Sequence, residues 1–404
     1  MNKDAEIPVS IATRSLSIDV FRGLTILLMI FVNDLAGVSG VPLWLKHMPA
    51  DVDGMSLADL VFPAFLFIVG LSLPLSLRQR QQSGANRPQT LAYQFLRSAS
   101  LIVIGVMMVN AEEGFQQNAM TVSIHLWSAC SLVAVIMVWH VASKISPRRS
   151  LFFRWLGIAV LLMLILLYRS GEDGQSGLQV QWWGILGLIG WASMIAGLVV
   201  IFFGLSLPVI IVSNVLCLLG FVFFQPHYLS QFPLLHCLRD EANQFTHTML
   251  VLCGAFVSQM LYGSPAPSTI EKYKRLRLLL IWSVSAFAIA TVLHHFFPMS
   301  KIHATPSWAW LSIAFCSTIT LLLYFFIDVR RWENWHLLLT VPAKNSLLIY
   351  LLPFLIYSVS QYLQLELLPF LRAGVVGILM SLIYIVFLIY LVKCLNSLGL
   401  KLKL

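Results

Sequence analysis

Long apolar segments recur along the whole chain and leave little polar sequence between them. A segment of roughly 20 mostly apolar residues is long enough to cross a bilayer as an α-helix. Only 11% of the residues are charged, whereas a soluble domain carries about 25%. We therefore predict an all-α polytopic membrane protein, with residues 1–404 forming a single domain. About twelve segments (ten to twelve in all) have the required length, near residues 20–37, 57–77, 91–110, 122–143, 151–168, 182–202, 204–224, 245–262, 276–297, 308–328, 341–361 and 371–394.

Lysine and arginine are unevenly distributed among the connections between these segments. If the N-terminus faces the cytoplasm, the cytoplasmic connections hold most of the cations, and the opposite ones hold only a few, such as Lys46 and Lys301. Because cations are retained on the cytoplasmic side, we predict that both termini are cytoplasmic and that His47 lies on the far side. The net charge of +9 follows from this topology, so no nucleic-acid partner is expected.

The first two apolar segments carry polar residues at the ends that face His47. Asn33 and Asp34 end the first segment, and Asp59 begins the second. A histidine can remove a proton from a nucleophile or carry an acyl group itself. An amide can donate to an oxyanion, and a carboxylate can orient an imidazole. The alternatives are helix-end hydrogen bonding for Asn33 and Asp34, a capping box for Asp59 with Ser56, and an ordinary loop histidine.

Several cations at the predicted cytoplasmic ends are candidates for binding phosphate. Arg22 lies three residues after Asp19, so an ion pair on one helix face is the alternative to anion binding. Lys344 and Asn345 begin the eleventh segment, where a helix N-terminus could hold phosphate. Lys274 belongs to a further cluster of cations on the same side. For these residues, anion binding on the cytoplasmic side and a purely structural role both stay open.

On the far side, polar residues gather in the connections after the first, third, seventh and ninth segments, where they could line one pocket. Lys301 and His303 lie between the ninth and tenth segments, and Trp308 begins the tenth. Asp53 follows His47 in the first connection. An aromatic face with polar neighbours is typical of a sugar site, although Trp is also favoured as a membrane-interface anchor. His247 could line the same pocket. No cluster of residues has the spacing of a metal site, so no metal is expected.

Short motifs concentrated in the first fifth of the chain resemble those of a known family. They are S-x-D-x-F-R-G from Ser17 to Gly23, FVN ending at Asn33, K-H ending at His47, and G-x-x-x-A-D-L-V-F-P-x-F-x-F-I-x-G from Gly54 to Gly70. On these motifs the chain resembles the transmembrane acyltransferases typified by heparan-α-glucosaminide N-acetyltransferase, in particular their shorter bacterial relatives.

The resemblance implies acetyl transfer from cytoplasmic acetyl-CoA to the amine of a glucosamine-type sugar on the other side. His47 matches the family's active-site histidine, and Asn33 matches its helix-end asparagine. The implied location is a bacterial inner membrane with the His47 loop on the periplasmic side. The implied partners are acetyl-CoA, an amino-sugar acceptor and membrane lipid, and a homodimer is one assembly left open.

A secondary transporter for an amino sugar is the alternative from another functional class. Twelve spans with buried Asp and Arg residues fit a transporter as well. Against it, His47 lies in a connection at one surface, whereas transporter sites lie near the middle of the membrane.

Overall fold

A computed structural model of the protein describes residues 15–142, 146–225, 241–264, 267–332, 337–365 and 368–402. These residues form a helical bundle whose helices are α1 (Leu16–Leu35), α2 (Leu57–Gln82), α3 (Arg87–Glu112), α4 (Ile124–Trp139), α5 (Pro147–Leu167), α6 (Ile185–Phe203), α7 (Leu207–Phe223), α8 (Ala242–Tyr262), α9 (Thr269–His294), α10 (Pro306–Leu323), α11 (Leu337–Lys344), α12 (Ser346–Tyr362) and α13 (Gly374–Ser397). A π-helical turn, Tyr324–Val329, continues α10. Two short strands, β1 (His140–Ala142) and β2 (Leu400–Leu402), pair antiparallel.

Each of the twelve apolar segments coincides with an apolar helix. Among the described residues, nine helices are long and apolar enough to cross a membrane. The other three, α4, α7 and α12, are apolar but only 16 or 17 residues long. The chain is therefore an integral, mainly helical membrane protein, and twelve crossings stay a prediction. The eleventh predicted segment is not one helix, because the backbone breaks at Asn345 between α11 and α12.

The bundle has an inner and an outer layer of helices. In the 18-residue apolar stretch of α2 and of α8, 72% of the residues are buried. In the corresponding stretch of α5 and of α9, only 22% are buried. The exposed faces of α5, α7, α9 and α13 carry large apolar side chains. In water such faces would be unfavourable, whereas in a bilayer they contact lipid tails of similar polarity.

The inner helices α2 and α8 touch at two glycines. A Cβ atom on Gly70 would lie 2.1 Å from the Val251 carbonyl oxygen, and one on Gly254 would lie 2.1 Å from the Phe67 carbonyl oxygen. Small residues allow membrane helices to approach at backbone distance. This contact places the first turn of α2, which carries Asp59, beside the first two turns of α8.

The two ends of the bundle differ in their polar side chains. At one end, Arg78 and Arg275 donate to the carbonyl oxygens of Tyr262 and Leu261 at the end of α8. At the other end lie the last turn of α1, the first turn of α2 and the loop between α9 and α10, since the Gly54 N–H donates to the Met299 carbonyl oxygen. The candidate catalytic residues belong to this second end.

Candidate active site

His47 is held by the carboxylate of Asp59. The His47 Nδ1 atom lies 2.9 Å from Asp59 Oδ1. An ionised carboxylate can only accept, so the proton of the imidazole is assigned to Nδ1. Nε2 is then the ring nitrogen that carries the lone pair, as a general base requires. The His47 side chain keeps 36% of its surface accessible, whereas that of Asp59 keeps 1%.

The position of Asp59 follows from how helix α2 begins. Ser56 and Asp59 form a capping box, in which the Ser56 hydroxyl oxygen accepts from the Asp59 N–H. Asp59 Oδ2 accepts from the Ser56 N–H, the Ser56 hydroxyl and the Met48 N–H. The predicted capping box is confirmed, and the same carboxylate also contacts the histidine. Because Oδ2 is saturated by its own helix start and by the loop, Oδ1 has a fixed direction toward His47.

Lys301 reaches the imidazole from the loop between α9 and α10. Its Nζ atom lies 3.2 Å from His47 Nδ1 and 3.5 Å from Nε2. Burial lowers the pKa of the Lys301 amine below its ordinary value, and the Asp59 carboxylate offsets part of that effect. A cation beside an imidazole opposes its protonation. His47 thus lies between two groups of opposite charge type, the Asp59 carboxylate and the Lys301 amine.

A cavity of about 670 Å³ opens beside His47. Its apolar lining comes from α1, α2, α3, α6 and α12 and includes Ile30, Phe62, Met108, Leu186 and Phe354. Its polar lining is Asn33, His47, Glu112, Asn243, His247, Lys301, Tyr350 and Tyr357. The expectation that polar residues from several connections meet in one pocket is confirmed for His47, Glu112 and Lys301. The cavity is large enough for a substrate of drug size.

Asn33 lies in the last turn of α1 and lines this cavity. Its side-chain amide has no hydrogen-bond partner among the residues that the structure describes. An amide with a free N–H beside a histidine can donate to a carbonyl or oxyanion of a bound substrate.

Asp34 is not in contact with His47. Its carboxylate pairs with Arg372, whose Nη1 lies 2.9 Å from Oδ2 and 3.0 Å from Oδ1. The hydroxyls of Tyr357 and Ser381 also donate to it. Of the two carboxylates that the sequence offered for orienting His47, only Asp59 contacts the ring, because the Asp34 side chain points to α13.

Comparison with known proteins bears on the same part of the chain. A family model described as the catalytic region of heparan-α-glucosaminide N-acetyltransferase matches residues 14–140. This part of the chain is similar to the catalytic region of that family. The mouse enzyme named heparan-α-glucosaminide N-acetyltransferase is 42% identical over 102 residues, which are 25% of this chain and 15% of the mouse protein. The human enzyme of that name is 42% identical over 95 residues, 23% of this chain and 13% of the human protein.

The matched family region does not hold the whole site. Asn33, His47, Asp59 and Glu112 lie inside residues 14–140, whereas Lys301 comes from the α9–α10 loop. The remaining polar lining comes from α8 and α12. The cavity is therefore built jointly by the region that matches the family model and by the part of the chain beyond the match.

The residues predicted to bind the sugar separate into three groups. Lys301 lines the cavity, as above. Asp53 accepts from the Met299 N–H at 2.7 Å and lies 2.9 Å from His294 Nε2, contacts that hold the pKa of its carboxyl below the ordinary value. It joins the His47 loop to the α9–α10 loop. His303 is exposed and is not among the residues that line the cavity.

Trp308 belongs to the core and has no accessible surface. Its indole N–H donates to the Asp59 carbonyl oxygen at 3.3 Å. The interpretation of Trp308 as an interface anchor is therefore wrong, and its face is not open to a sugar. The sequence suggested an interface because the residue follows a polar loop, but that loop folds over the helix start.

The four residues predicted to bind phosphate do not form one site. Lys344 and Asn345 line a groove of about 500 Å³ with Lys401, Asn396 and Ser397. Arg22 pairs with Asp19 at 2.8 Å and donates to Ser72 Oγ at 2.6 Å, so the predicted ion pair is confirmed. Lys274 is exposed on α9 and lies outside the groove. Lys401 was missed because nothing in the sequence relates the C-terminal strand to α12.

Several lining residues had little or no sequence signal. Glu112 and His247 were recognisable as polar residues at the far ends of their segments. Asn243, Tyr350 and Tyr357 were not, since single polar residues in apolar helices have many structural roles. Among the described residues no group of three or more His, Cys, Asp and Glu side chains is arranged to hold a metal.

Proposed function

We propose that this chain is a membrane-embedded acetyltransferase that transfers acetyl from acetyl-CoA to the amine of a glucosamine-type sugar. The observation that carries the proposal is the His47–Asp59 pair beside a cavity that also holds Asn33. A base, a group that orients it and an amide donor are the parts that acyl transfer to an amine requires. The similarity of residues 14–140 to the catalytic region of an N-acetyltransferase supports the choice of acetyl donor and amino-sugar acceptor.

In the direct route, the acceptor nitrogen attacks the thioester carbonyl carbon. The Asn33 amide donates to the developing oxyanion, and His47 Nε2 takes the proton from the attacking nitrogen. The carbon–sulfur bond then breaks, and the proton passes from His47 to the leaving thiolate. Asp59 stays ionised throughout and stabilises the imidazolium through Nδ1.

In the alternative route, His47 Nε2 attacks the thioester carbonyl carbon, and the carbon–sulfur bond breaks to release the thiolate. The amine then takes the acetyl group from Nε2, which accepts the proton of the amine and passes it to the thiolate. Both routes use the same residues. Radiolabelled acetyl-CoA without acceptor distinguishes them, because only the second route leaves label on the protein that glucosamine then removes. The same preparation of the His47→Ala variant is the control for unspecific labelling.

The proposed sides of the membrane follow from the cations. The groove with Lys344, Asn345 and Lys401 lies at the end where the cations gather, and it suits the phosphates of cytoplasmic CoA. The apolar section of the cavity suits an alkyl arm that brings the thioester to His47. We expect Asp51→Cys, in the His47 loop, to react with a membrane-impermeant thiol reagent in intact cells. Lys274→Cys, at the other end, should react only after permeabilisation.

The decisive experiment measures CoA release by purified protein with acetyl-CoA and a panel of amino sugars. Wild-type protein should release CoA with glucosamine and form the N-acetylated sugar. His47→Ala should lose about 10²–10⁴-fold in kcat, as expected when a general base is removed. Undiminished activity of that variant would remove His47 from the chemistry. Uptake of labelled sugar into vesicles without acetyl-CoA, together with no CoA release, would favour the transporter instead.

A further inference from the structure

Helix α8 presents two polar side chains to the cavity, Asn243 and His247. They are four residues apart and so share one face of the helix. Both lie beyond the matched family region, which ends at residue 140. Neither takes part in the His47–Asp59–Lys301 contacts described above.

His247 is buried without a hydrogen-bond partner for one of its ring nitrogens. Only 2% of its surface is accessible, and among the described residues Nδ1 has no hydrogen-bond partner. Leaving a buried polar atom unpaired is costly, so such atoms in native proteins call for an explanation. Nδ1 itself has almost no accessible surface, so a molecule bound in the cavity that His247 lines would contact the accessible part of the ring.

The ring of His247 is fixed by its neighbours. Phe62 packs edge-on with ring centroids 5.2 Å apart, and Trp308 packs edge-on at 6.2 Å. Phe62 belongs to α2, and the Trp308 indole N–H donates to the Asp59 carbonyl oxygen. Phe62 and Trp308 therefore position His247 and also contact the start of α2. These contacts hold His247 in place relative to Asp59.

Asn243 adds a second free polar group one turn away. Its side-chain amide has no hydrogen-bond partner among the residues that the structure describes, and it lines the same cavity. An amide and an imidazole both offer a donor and an acceptor. This combination matches ring hydroxyls, each of which also donates and accepts, better than it matches an alkyl chain.

We propose that Asn243 and His247 form an acceptor subsite that binds ring hydroxyls of a hexosamine while its amine faces His47. This inference rests on the proposed acetyltransferase function. The two residues are positioning residues, because the chemistry takes place at His47. They lie in the first two turns of α8, at the same end of the bundle as Asn33 and Lys301. A thioester arriving through the apolar section of the cavity would meet the sugar there.

The test compares wild type with His247→Phe and Asn243→Ala in the purified full-length protein. Phe keeps the ring shape within the aromatic cluster and removes both nitrogens. Thr248→Ala is the matched control, since Thr248 is buried on the same helix, donates to the Gln244 carbonyl oxygen and does not line the cavity. KM for glucosamine and KM for acetyl-CoA are measured separately, together with the melting temperature of each variant.

Each subsite variant should raise KM for glucosamine about tenfold, the effect of one lost hydrogen bond, and leave KM for acetyl-CoA unchanged. At least one deoxy analogue of glucosamine should bind wild type more weakly than glucosamine but bind the variant equally well. An unchanged KM for glucosamine in both variants would overturn the proposal. So would a rise in KM for acetyl-CoA alone, which would assign the two residues to the pantetheine arm.

A binding readout separates this proposal from the proposed function. Glucosamine without acetyl-CoA should raise the melting temperature of wild type and of Thr248→Ala but not that of Asn243→Ala, a variant at a partly exposed position. If no amino sugar supports CoA release, the acetyltransferase function fails, and this thermal shift still tests the subsite. If CoA is released but the shift is equal in all variants, the subsite fails and the acetyltransferase function stands.

Discussion

Asp59 binds His47 Nδ1 through one carboxylate oxygen and its own helix start through the other. The two oxygens thus have separate tasks, and the direction of the one toward His47 is set by the capping box. Because one carboxylate caps helix α2 and orients His47, the backbone at the start of α2 is part of the site. Changes at Asp59 should therefore affect both the chemistry and the stability.

Replacing Asp59 by Asn should lower kcat by about 10²–10⁴-fold. The amide oxygen should turn toward the donors from Ser56 and Met48, leaving its N–H₂ group against Nδ1. The imidazole would then carry its proton on Nε2 and lose its free lone pair. CoA release and the melting temperature measure the two effects. Asp51→Asn, in the exposed part of the same loop, is the control, and full activity of Asp59→Asn would contradict the assigned tautomer.

Replacing Asn33 by Ala should lower kcat by about 10²–10³-fold with little change in KM for the sugar, because the amide donates only to the oxyanion. Steady-state CoA release with both substrates varied separates kcat from KM. Among the described residues, the Asn33 side chain has no hydrogen-bond partner. Its removal should therefore change the melting temperature by only about a degree or two. A rise in KM for acetyl-CoA at unchanged kcat would assign Asn33 to binding instead.

Lys301 should set the alkaline limit of activity. Because burial lowers its pKa below the ordinary 10.5, the amine loses its proton at a lower pH than a free lysine does. Between the lowered pKa and 10.5, Lys301 binds more protons in the unfolded chain than in the folded one. Its contribution to the free energy of unfolding therefore rises as the pH rises toward 10.5.

In Lys301→Arg, whose side chain stays charged, the alkaline limb of kcat should move to higher pH. In Lys301→Met the alkaline fall in kcat should be absent, and kcat should be lower overall. The pH profile of CoA release between pH 6 and 10.5 measures both effects. Identical profiles for wild type and Lys301→Arg would show that Lys301 does not control this limb.

Replacing Arg372 by Met should destabilise the protein by about 3–5 kcal/mol, because the buried Asp34 carboxylate would lose its counter-charge. The melting temperature of the purified protein measures the loss. Adding Asp34→Asn should recover part of it, since an amide needs no cation. Arg277→Met, at an exposed position of α9, should have little effect. Equal stability of Arg372→Met and wild type would contradict a structural role for the pair.

Replacing Gly70 by Ala should lower the melting temperature, since the added Cβ would lie 2.1 Å from the Val251 carbonyl oxygen. Helices α2 and α8 would have to separate, and the distance between Asp59 and His247 would change with them. Gly177→Ala is the control, because nothing lies within 4 Å of its added Cβ. Unchanged stability and activity of Gly70→Ala would mean that the helices can move apart freely.

The sequence by itself determined the features that depend on local chemistry. Apolar length predicted where helices form, and the spacing of Ser56 and Asp59 predicted the capping box. Asp19 and Arg22 share a helix face because they are three residues apart, and they pair as predicted. His47 and Asp59 are only twelve residues apart, so a loop that returns to its own helix start can bring them together.

The tertiary structure alone decided which distant groups meet. It brought Lys301 onto His47, gave Asp34 to Arg372, buried Trp308 beneath Asp59, and turned Asn243 and His247 into the cavity. A buried charge or polar group needs a partner, but its sequence neighbours do not say which one. That choice depends on how helices pack, and in a chain of apolar helices many packings look alike until backbone contacts such as Gly70 against Val251 select one.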